Sequence, residues 1–151
     1  MNTRLKIAFW CYFLAALLLV GFGVVYLFRR EFMPFHAIAA DMPWSDVPPG
    51  FQAITLALMK ALGGAHIVLA LAVYVILFGP FRQGVRWARL TIPLLGLLSI
   101  AVTFYAMTYV AAHTPATPPF WAPTLGAALT LTAFVLSIYP FKATPIPDGG
   151  Q

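Results

Sequence analysis

Four long runs of apolar residues make up most of the chain, separated by short polar or proline-rich stretches. They predict helices at about residues 7–28, 52–79, 90–112 and 120–141. At 1.5 Å per residue, each run can cross the ~30 Å hydrocarbon core of a bilayer. Their few polar residues are mostly hydroxyls, which is not typical of a soluble amphipathic helix. We therefore predict an all-α integral membrane four-helix bundle that forms a single transmembrane domain over residues 1–151.

The composition agrees with a membrane environment. Of the 151 residues, 62% are hydrophobic and 9% are charged, whereas a soluble domain carries about 25% charged residues. The net charge is +5, but the basic residues flank apolar runs instead of forming a basic stripe, so we expect no nucleic-acid partner. Cys11 is the single cysteine, which excludes an internal disulfide, a CxxC redox pair and a cysteine zinc site.

The distribution of basic residues predicts the orientation. One side of the predicted bundle carries Arg4, Lys6, Arg82, Arg86, Arg89 and Lys142. The positive-inside rule therefore places both termini in the cytoplasm, although Arg29 and Arg30 on the other side argue against it. The first run is too long for a signal-peptide core. We expect a multi-pass protein of the bacterial inner (cytoplasmic) membrane with no cleaved signal peptide.

The longest predicted loop, residues 29–51, joins the first two helices on the outer side. Within it Phe35, Ile38, Ala39 and Met42 recur at i, i+3, i+4 and i+7. This spacing predicts a short amphipathic helix lying on the membrane surface. The prolines that follow then turn the chain back into the membrane.

Small residues recur every three or four positions along three of the predicted helices, as expected where membrane helices approach closely. These stripes are Ala53, Ala57, Ala61 and Ala65; Gly96, Ser99, Thr103 and Ala106; and Gly126, Thr130, Ala133 and Ser137. A short proline-rich loop joins the last two helices. We therefore predict that they form an antiparallel hairpin packed along their stripes.

Two ionisable residues lie within the second apolar run. His66 is near its middle, and Lys60 lies six residues, about 9 Å, toward the outer side. Because six residues turn a helix by about 240°, the two side chains point to different sides. Ionisable groups in a span are costly and hence functional candidates. The alternatives are that Lys60 extends to the outer headgroups and that His66 hydrogen-bonds to a neighbouring helix.

Further polar residues collect on the outer side and complete the set of candidate ligand-binding residues. The set is His66, Lys60, Glu31, His36, Tyr105, Tyr109 and His113. If the bundle closes, we expect Glu31 to neutralise Lys60, and His36 and His113 to face one another above a deeper His66. The chain lacks metal-ligand spacing such as HxxxH, a nucleophile elbow and phosphate or dinucleotide fingerprints, so we expect no metal and no cofactor.

One segment resembles a known class of proteins. The stretch LALMKALGGAHIVLALAVYVILFGPFRQGVRWAR combines a Gly-rich helix with a Pro-Phe-Arg-x-Gly-x-Arg-Trp-Ala-Arg turn. It is similar to small bacterial four-helix membrane proteins of the DoxX-like kind. The resemblance covers the second and third predicted helices. It implies their fold and topology, and transfers no catalytic residue.

Three functions are compatible with this sequence. The first is a non-catalytic bundle that binds a lipophilic ligand or serves as an accessory subunit, with a pocket opening outward between the second and third helices and walled by His66 and Lys60. The second is an intramembrane enzyme, of isomerase or oxidoreductase type, in which His66 moves a proton on an isoprenoid, sterol-like or quinone substrate. The third is a purely structural subunit. The expected partners are the lipid bilayer and either a lipophilic small molecule or another membrane protein.

Overall fold

The computed structural model describes residues 3–138, and over this range the chain is all-helical. Its α-helices are α1 (Thr3–Phe28), α2 (Pro34–Ala40), α3 (Pro49–Ile76), α4 (Arg86–His113) and α5 (Trp121–Ile138). Helix α3 continues into a π-helical turn, Leu77–Phe81, where Pro80 has no amide hydrogen to donate. Four helices are long and apolar enough to cross a membrane, which confirms the predicted fold class. Positions 139–141 of the last predicted helix, and Lys142, lie outside the described residues.

Helices α1 and α3 approach each other closely at two glycines. A Cβ atom added to Gly63 would lie 2.7 Å from the carbonyl oxygen of Gly23 and 2.8 Å from the backbone nitrogen of Leu27. A Cβ added to Gly23 would in turn lie 2.7 Å from the carbonyl oxygen of Gly63. Backbone therefore meets backbone here, which glycine alone permits, as at small-residue crossings of membrane helices generally.

Helix α5 packs on both α1 and α4. Its buried face carries Gly126, Thr130, Ala133 and Ser137, the stripe predicted from the sequence. A Cβ on Gly96 of α4 would contact the Thr130 side chain at 3.3 Å. The predicted antiparallel packing of the last two spanning helices is therefore confirmed, and so is the stripe of α5. The stripe of α4 is confirmed only in part, because Gly96 contacts α5 whereas Ala106 is exposed.

The alanine stripe of α3 does not face the bundle, and here the packing prediction was wrong. Ala53, Ala57, Ala61 and Ala65 are all exposed. The buried face of α3 instead carries Met59, Gly63, His66, Ala70 and Val73. A small side chain is as acceptable toward lipid as toward another helix, so regular spacing alone did not identify the buried face.

Helices α3 and α4 have few direct contacts, although they follow one another in the chain. They are held together at one end by the π-helical turn, which packs on both. The four spanning helices thus form a ring in which α1 touches α3 and α5, and α5 touches α4. The ring is loose between α3 and α4, toward the end that carries α2.

The segment between α1 and α3 folds over this loose end. As predicted, it contains a short helix, α2, which ends at Asp41 in a left-handed conformation with a φ of 51°. The side-chain amide of Gln52, at the start of α3, donates to the carbonyl oxygens of Trp44 at 2.9 Å and Val47 at 3.0 Å. These two bonds tie the segment to α3 and so fix α2 near the gap between α3 and α4.

Candidate functional site

A cavity of about 530 Å³ occupies the gap between α3 and α4; we call it the wide cavity. Its wall includes Phe22 and Tyr26 of α1, Phe35 and His36 of α2, Leu62 and His66 of α3, and Ser99 and Thr103 of α4. Leu58, Leu98 and Val102 also line it, and all three are exposed on the outside of the bundle. The wide cavity therefore opens sideways between the two helices, to the outside of the bundle.

A second, smaller cavity of about 70 Å³ lies deeper, among all four spanning helices; we call it the inner cavity. Tyr12, Ile92 and Thr130 belong to its wall. Four residues line both cavities: Phe22, His66, Ser99 and Thr103. These four side chains form the partition between the bundle centre and the lateral opening.

His66 is the most polar group of this partition and is fixed in orientation. Its side chain is 9% exposed, and its ring lies 5.3 Å from that of Phe22. Nδ1 is 2.8 Å from the carbonyl oxygen of Leu62, one turn earlier in the same helix. Since a carbonyl oxygen only accepts, Nδ1 carries the proton, and Nε2 of the neutral ring is an acceptor. Within the described part of the chain, no group hydrogen-bonds Nε2.

The other polar groups of the partition are hydroxyls from α4. Thr103 donates its hydroxyl to the Ser99 carbonyl oxygen at 2.9 Å, so its Oγ1 is left as an acceptor. Among the described residues the Ser99 hydroxyl makes no hydrogen bond and can both donate and accept. The partition therefore offers a small set of hydrogen-bonding groups inside an otherwise apolar wall.

Lys60 and Glu31 do not join His66. The Lys60 ammonium group donates to the carbonyl oxygen of Leu27 at 2.9 Å, near the end of α1, and its side chain is exposed. A cation suits the free carbonyls at a helix C-terminus. The Glu31 carboxylate does not neutralise Lys60; its Oε1 lies 3.6 Å from Nη2 of Arg29. Neither residue lines the wide or the inner cavity, so both lie outside the site around His66.

His36 does line the wide cavity, from helix α2. Its ring lies 4.2 Å from Phe35, and its Nδ1 accepts the backbone N–H of Met33 at 3.4 Å. Burial, and then the positive charge of Arg29, lower the pKa of His36 below its ordinary value. The neutral ring that the hydrogen bond requires is thus favoured, and α2 presents an uncharged surface to the cavity.

The other candidates from the end of α4 face away from the cavities. Tyr105 is 73% exposed and Tyr109 is 56% exposed. His113 is also exposed; it stacks on Tyr109 at 4.2 Å and its Nδ1 is 2.8 Å from the Tyr109 carbonyl oxygen. These three residues line neither cavity and follow one outward face of α4. Of the seven candidates, His66 and His36 are the two that the structure brings to a common site.

Three site residues were missed by the sequence analysis as ligand-binding groups. Ser99 and Thr103 were interpreted as packing residues, and Phe22 carried no signal within a run of apolar residues. Because Ser99 and Thr103 are four residues apart, the sequence places them on one face of a helix. Only the position of α4 relative to α3 shows that this face borders a cavity.

The site combines an apolar wall with a few hydrogen-bonding groups. No carboxylate, lysine or arginine lines either cavity in the described part of the chain. Within residues 3–138, no three His, Cys, Asp or Glu side chains lie together as a metal site would require. The arrangement accommodates an apolar molecule and offers it a small number of hydrogen bonds, which is the usual design of a small-molecule pocket.

Comparison of the chain with protein-family models, curated proteins and solved structures gave no match.

Proposed function

We propose that this protein is a non-catalytic membrane protein that binds a lipophilic ligand in the wide cavity. The observation that carries the proposal is the combination of a cavity of about 530 Å³, open between α3 and α4, with the buried His66 in its wall. Ligand pockets typically measure about 300–1,000 Å³ and pair an apolar wall with few polar groups. A ligand enters sideways from the bilayer, without passing through water.

The position of His66 favours a ligand over ordinary packing. An unpaired polar group in an apolar environment has a substantial free-energy cost. The neighbouring helix, α1, presents Phe22 to the ring and no hydrogen-bonding partner for Nε2. A ligand with a suitable polar group removes this cost while its apolar part fills the cavity.

The test is native mass spectrometry of the protein in a mild detergent, with a variant that blocks the cavity. Ala65 lines the wide cavity, and an Ala65→Trp substitution would fill part of it. Ala61 lies one turn earlier on α3, is also exposed and lines neither cavity, so Ala61→Trp is the matched control. We expect a defined small mass on the wild type and on Ala61→Trp, and its loss from Ala65→Trp. A bare chain in all three samples would refute the proposal.

The second candidate is an intramembrane enzyme of isomerase or oxidoreductase type. It is favoured by one observation, the hydrogen bond that fixes Nδ1 of His66 as donor and leaves Nε2 as a base. General acid–base catalysis usually needs a second proton-transfer group nearby. Glu31 and Lys60, the expected partners, lie elsewhere. Conversion of the bound molecule by the purified wild type, lost in His66→Leu, would decide for the enzyme.

The proposal includes an orientation and a location. We infer that both termini are cytoplasmic, in a bacterial inner membrane, so that α2 and the opening of the wide cavity lie in the outer half of the bilayer. The basic turn between α3 and α4 supports this orientation, and the DoxX-like resemblance supports the bacterial source. A single cysteine introduced at Asp46, in a Cys11→Ala background, should react with a membrane-impermeant thiol reagent added to intact cells. Reaction only after lysis would reverse the orientation.

A further inference from the structure

We infer that the ligand is an uncharged lipid bearing a hydroxyl group, and that this hydroxyl donates a hydrogen bond to Nε2 of His66. The inference rests on the proposed function and specifies its ligand class. It follows from three features of the site: the tautomer of His66, the lack of charge in the cavity wall, and the hydroxyl of Ser99 in the partition.

The tautomer determines which kind of ligand atom is complementary. Nδ1 of His66 is engaged at 2.8 Å by the Leu62 carbonyl oxygen, which cannot donate. In the neutral ring this tautomer makes Nε2 an acceptor, which needs a donor. A ketone, aldehyde, ether or oxidised quinone has only acceptor oxygens and would leave Nε2 unpaired. An alcohol, a sterol or the hydroxyl of a diacylglycerol supplies the missing donor.

The lack of charge in the cavity wall disfavours a ligand whose charged headgroup enters the cavity. No lysine or arginine lines either cavity in the described ranges, and Lys60 is engaged with Leu27 outside them. A phosphate or carboxylate headgroup would thus enter an apolar wall without a counter-charge, at a large desolvation cost. A fatty acid or a phospholipid headgroup is a poor match for this pocket.

The α4 side of the partition suits the same hydroxyl. Ser99 lines both cavities with His66, and its hydroxyl makes no hydrogen bond among the described residues. A hydroxyl is able to donate to one group of this partition and accept from another, which no carbonyl or ether oxygen can do. The hydrocarbon chain then runs out between Leu58 and Leu98, where the wide cavity meets the bilayer.

The experiment compares lipids that differ only at the polar end. A C20 prenyl alcohol, its methyl ether, its aldehyde and its carboxylic acid are added in turn to delipidated protein, and the bound fraction is measured by native mass spectrometry. The proteins are the wild type, His66→Leu, and Ala65→Trp with a blocked cavity. Circular dichroism establishes that each variant is folded, and His66→Asn serves as a second variant that keeps an acceptor oxygen.

The expected result is a preference of the wild type for the alcohol over the ether and aldehyde of about threefold to tenfold, the factor that one net hydrogen bond contributes. We expect this preference to vanish in His66→Leu and to be partly retained in His66→Asn. Equal binding of all four probes, or a preference for the acid or aldehyde, would overturn the inferred ligand class while leaving the cavity as a binding site. Equal binding of every probe to the wild type and Ala65→Trp would refute the proposed function itself.

Discussion

The glycine contact between α1 and α3 predicts a large difference between two neighbouring substitutions. In Gly63→Ala, the new methyl group would lie 2.7 Å from the Gly23 carbonyl oxygen and 3.1 Å from Cβ of Tyr26. In Gly64→Ala, it would meet nothing within 4 Å. Both changes add one methyl group to the middle of α3, so they have similar effects on helix propensity. What differs is the contact with α1.

The magnitude follows from which atoms must move. The clashing atoms belong to the backbone of α1, which cannot rotate out of the way as a flexible side chain can, so the two helices must separate by several tenths of an ångström. Overpacking of this kind costs about 1–3 kcal/mol. For Gly64→Ala, the improved helix propensity is worth at most about 1 kcal/mol and is favourable in sign. Because Gly63→Ala has the same gain in helix propensity, that gain cancels, and we expect the two variants to differ by about 1–3 kcal/mol in free energy of unfolding.

The assay is reversible unfolding in mixed micelles, followed by circular dichroism while the fraction of denaturing detergent is raised. Gly21→Ala, for which the structure also has nothing within 4 Å of the added atom, is the control on α1. A double variant Gly23→Ala/Gly63→Ala should lose less than the sum of the single losses, because the first separation of the helices serves both methyl groups. If Gly63→Ala were as stable as Gly64→Ala, the close approach of α1 and α3 would be disproved.

Three further predictions concern the rim of the site. Lys60→Met should retain the ligand and lose no more than about 1 kcal/mol in free energy of unfolding, because an exposed hydrogen bond from the Lys60 ammonium group to the Leu27 carbonyl oxygen contributes little. Native mass spectrometry measures the bound ligand, and unfolding measures the stability. Gln52→Leu removes two hydrogen bonds and should lower stability by about 1–2 kcal/mol, with faster hydrogen exchange in the segment before α3. His36→Gln should reduce the loss of stability on acidification. The native pKa of His36 is lowered by burial and by Arg29, so the unfolded chain binds the proton more readily and stability falls as the pH drops below about 6.5.

Each of these three has a result that would contradict it. Loss of the ligand in Lys60→Met would show that Lys60 contributes to ligand binding. Unchanged exchange in Gln52→Leu would show that other contacts hold the segment. For the histidine, the control is His113→Gln, an exposed residue outside both cavities; equal acid sensitivity in wild type and His36→Gln would disprove the assignment.

The fold was predictable because the length of an apolar run is read directly from the sequence. The predicted start at residue 7 was late by one turn, since α1 begins at Thr3 and includes Arg4 and Lys6. The rotation of each helix about its axis was not predictable in the same way. A helix in lipid is apolar on every side, so hydrophobic periodicity does not mark the buried face. This is why the exposed alanines of α3 were taken for its packing face.

The same reason limited the prediction of the site. His66 was identified because an ionisable residue in mid-span is conspicuous whichever way it points. Tyr105 and Tyr109 were chosen by depth alone, and they lie on the face of α4 opposite the cavity, whereas Ser99 and Thr103 border it. The 240° angle between His66 and Lys60 was available from the sequence, and it correctly separates the buried histidine from the exposed lysine.

The gap between α3 and α4 and the tight contact between α1 and α3 are two sides of one arrangement. In lipid, no hydrophobic driving force closes a gap between helices, because lipid chains fill it as well as leucine does. Helices approach closely where glycines allow it, as at Gly23 and Gly63, and stay apart where larger side chains face each other. A lateral gap by itself therefore needs no ligand other than bulk lipid. What sets this gap apart is His66, whose Nε2 has no hydrogen-bond partner among residues 3–138 and cannot be satisfied by a hydrocarbon chain. The choice between bulk lipid and a specific ligand thus depends on one nitrogen atom, and the methyl ether of the prenyl alcohol is the probe that isolates it.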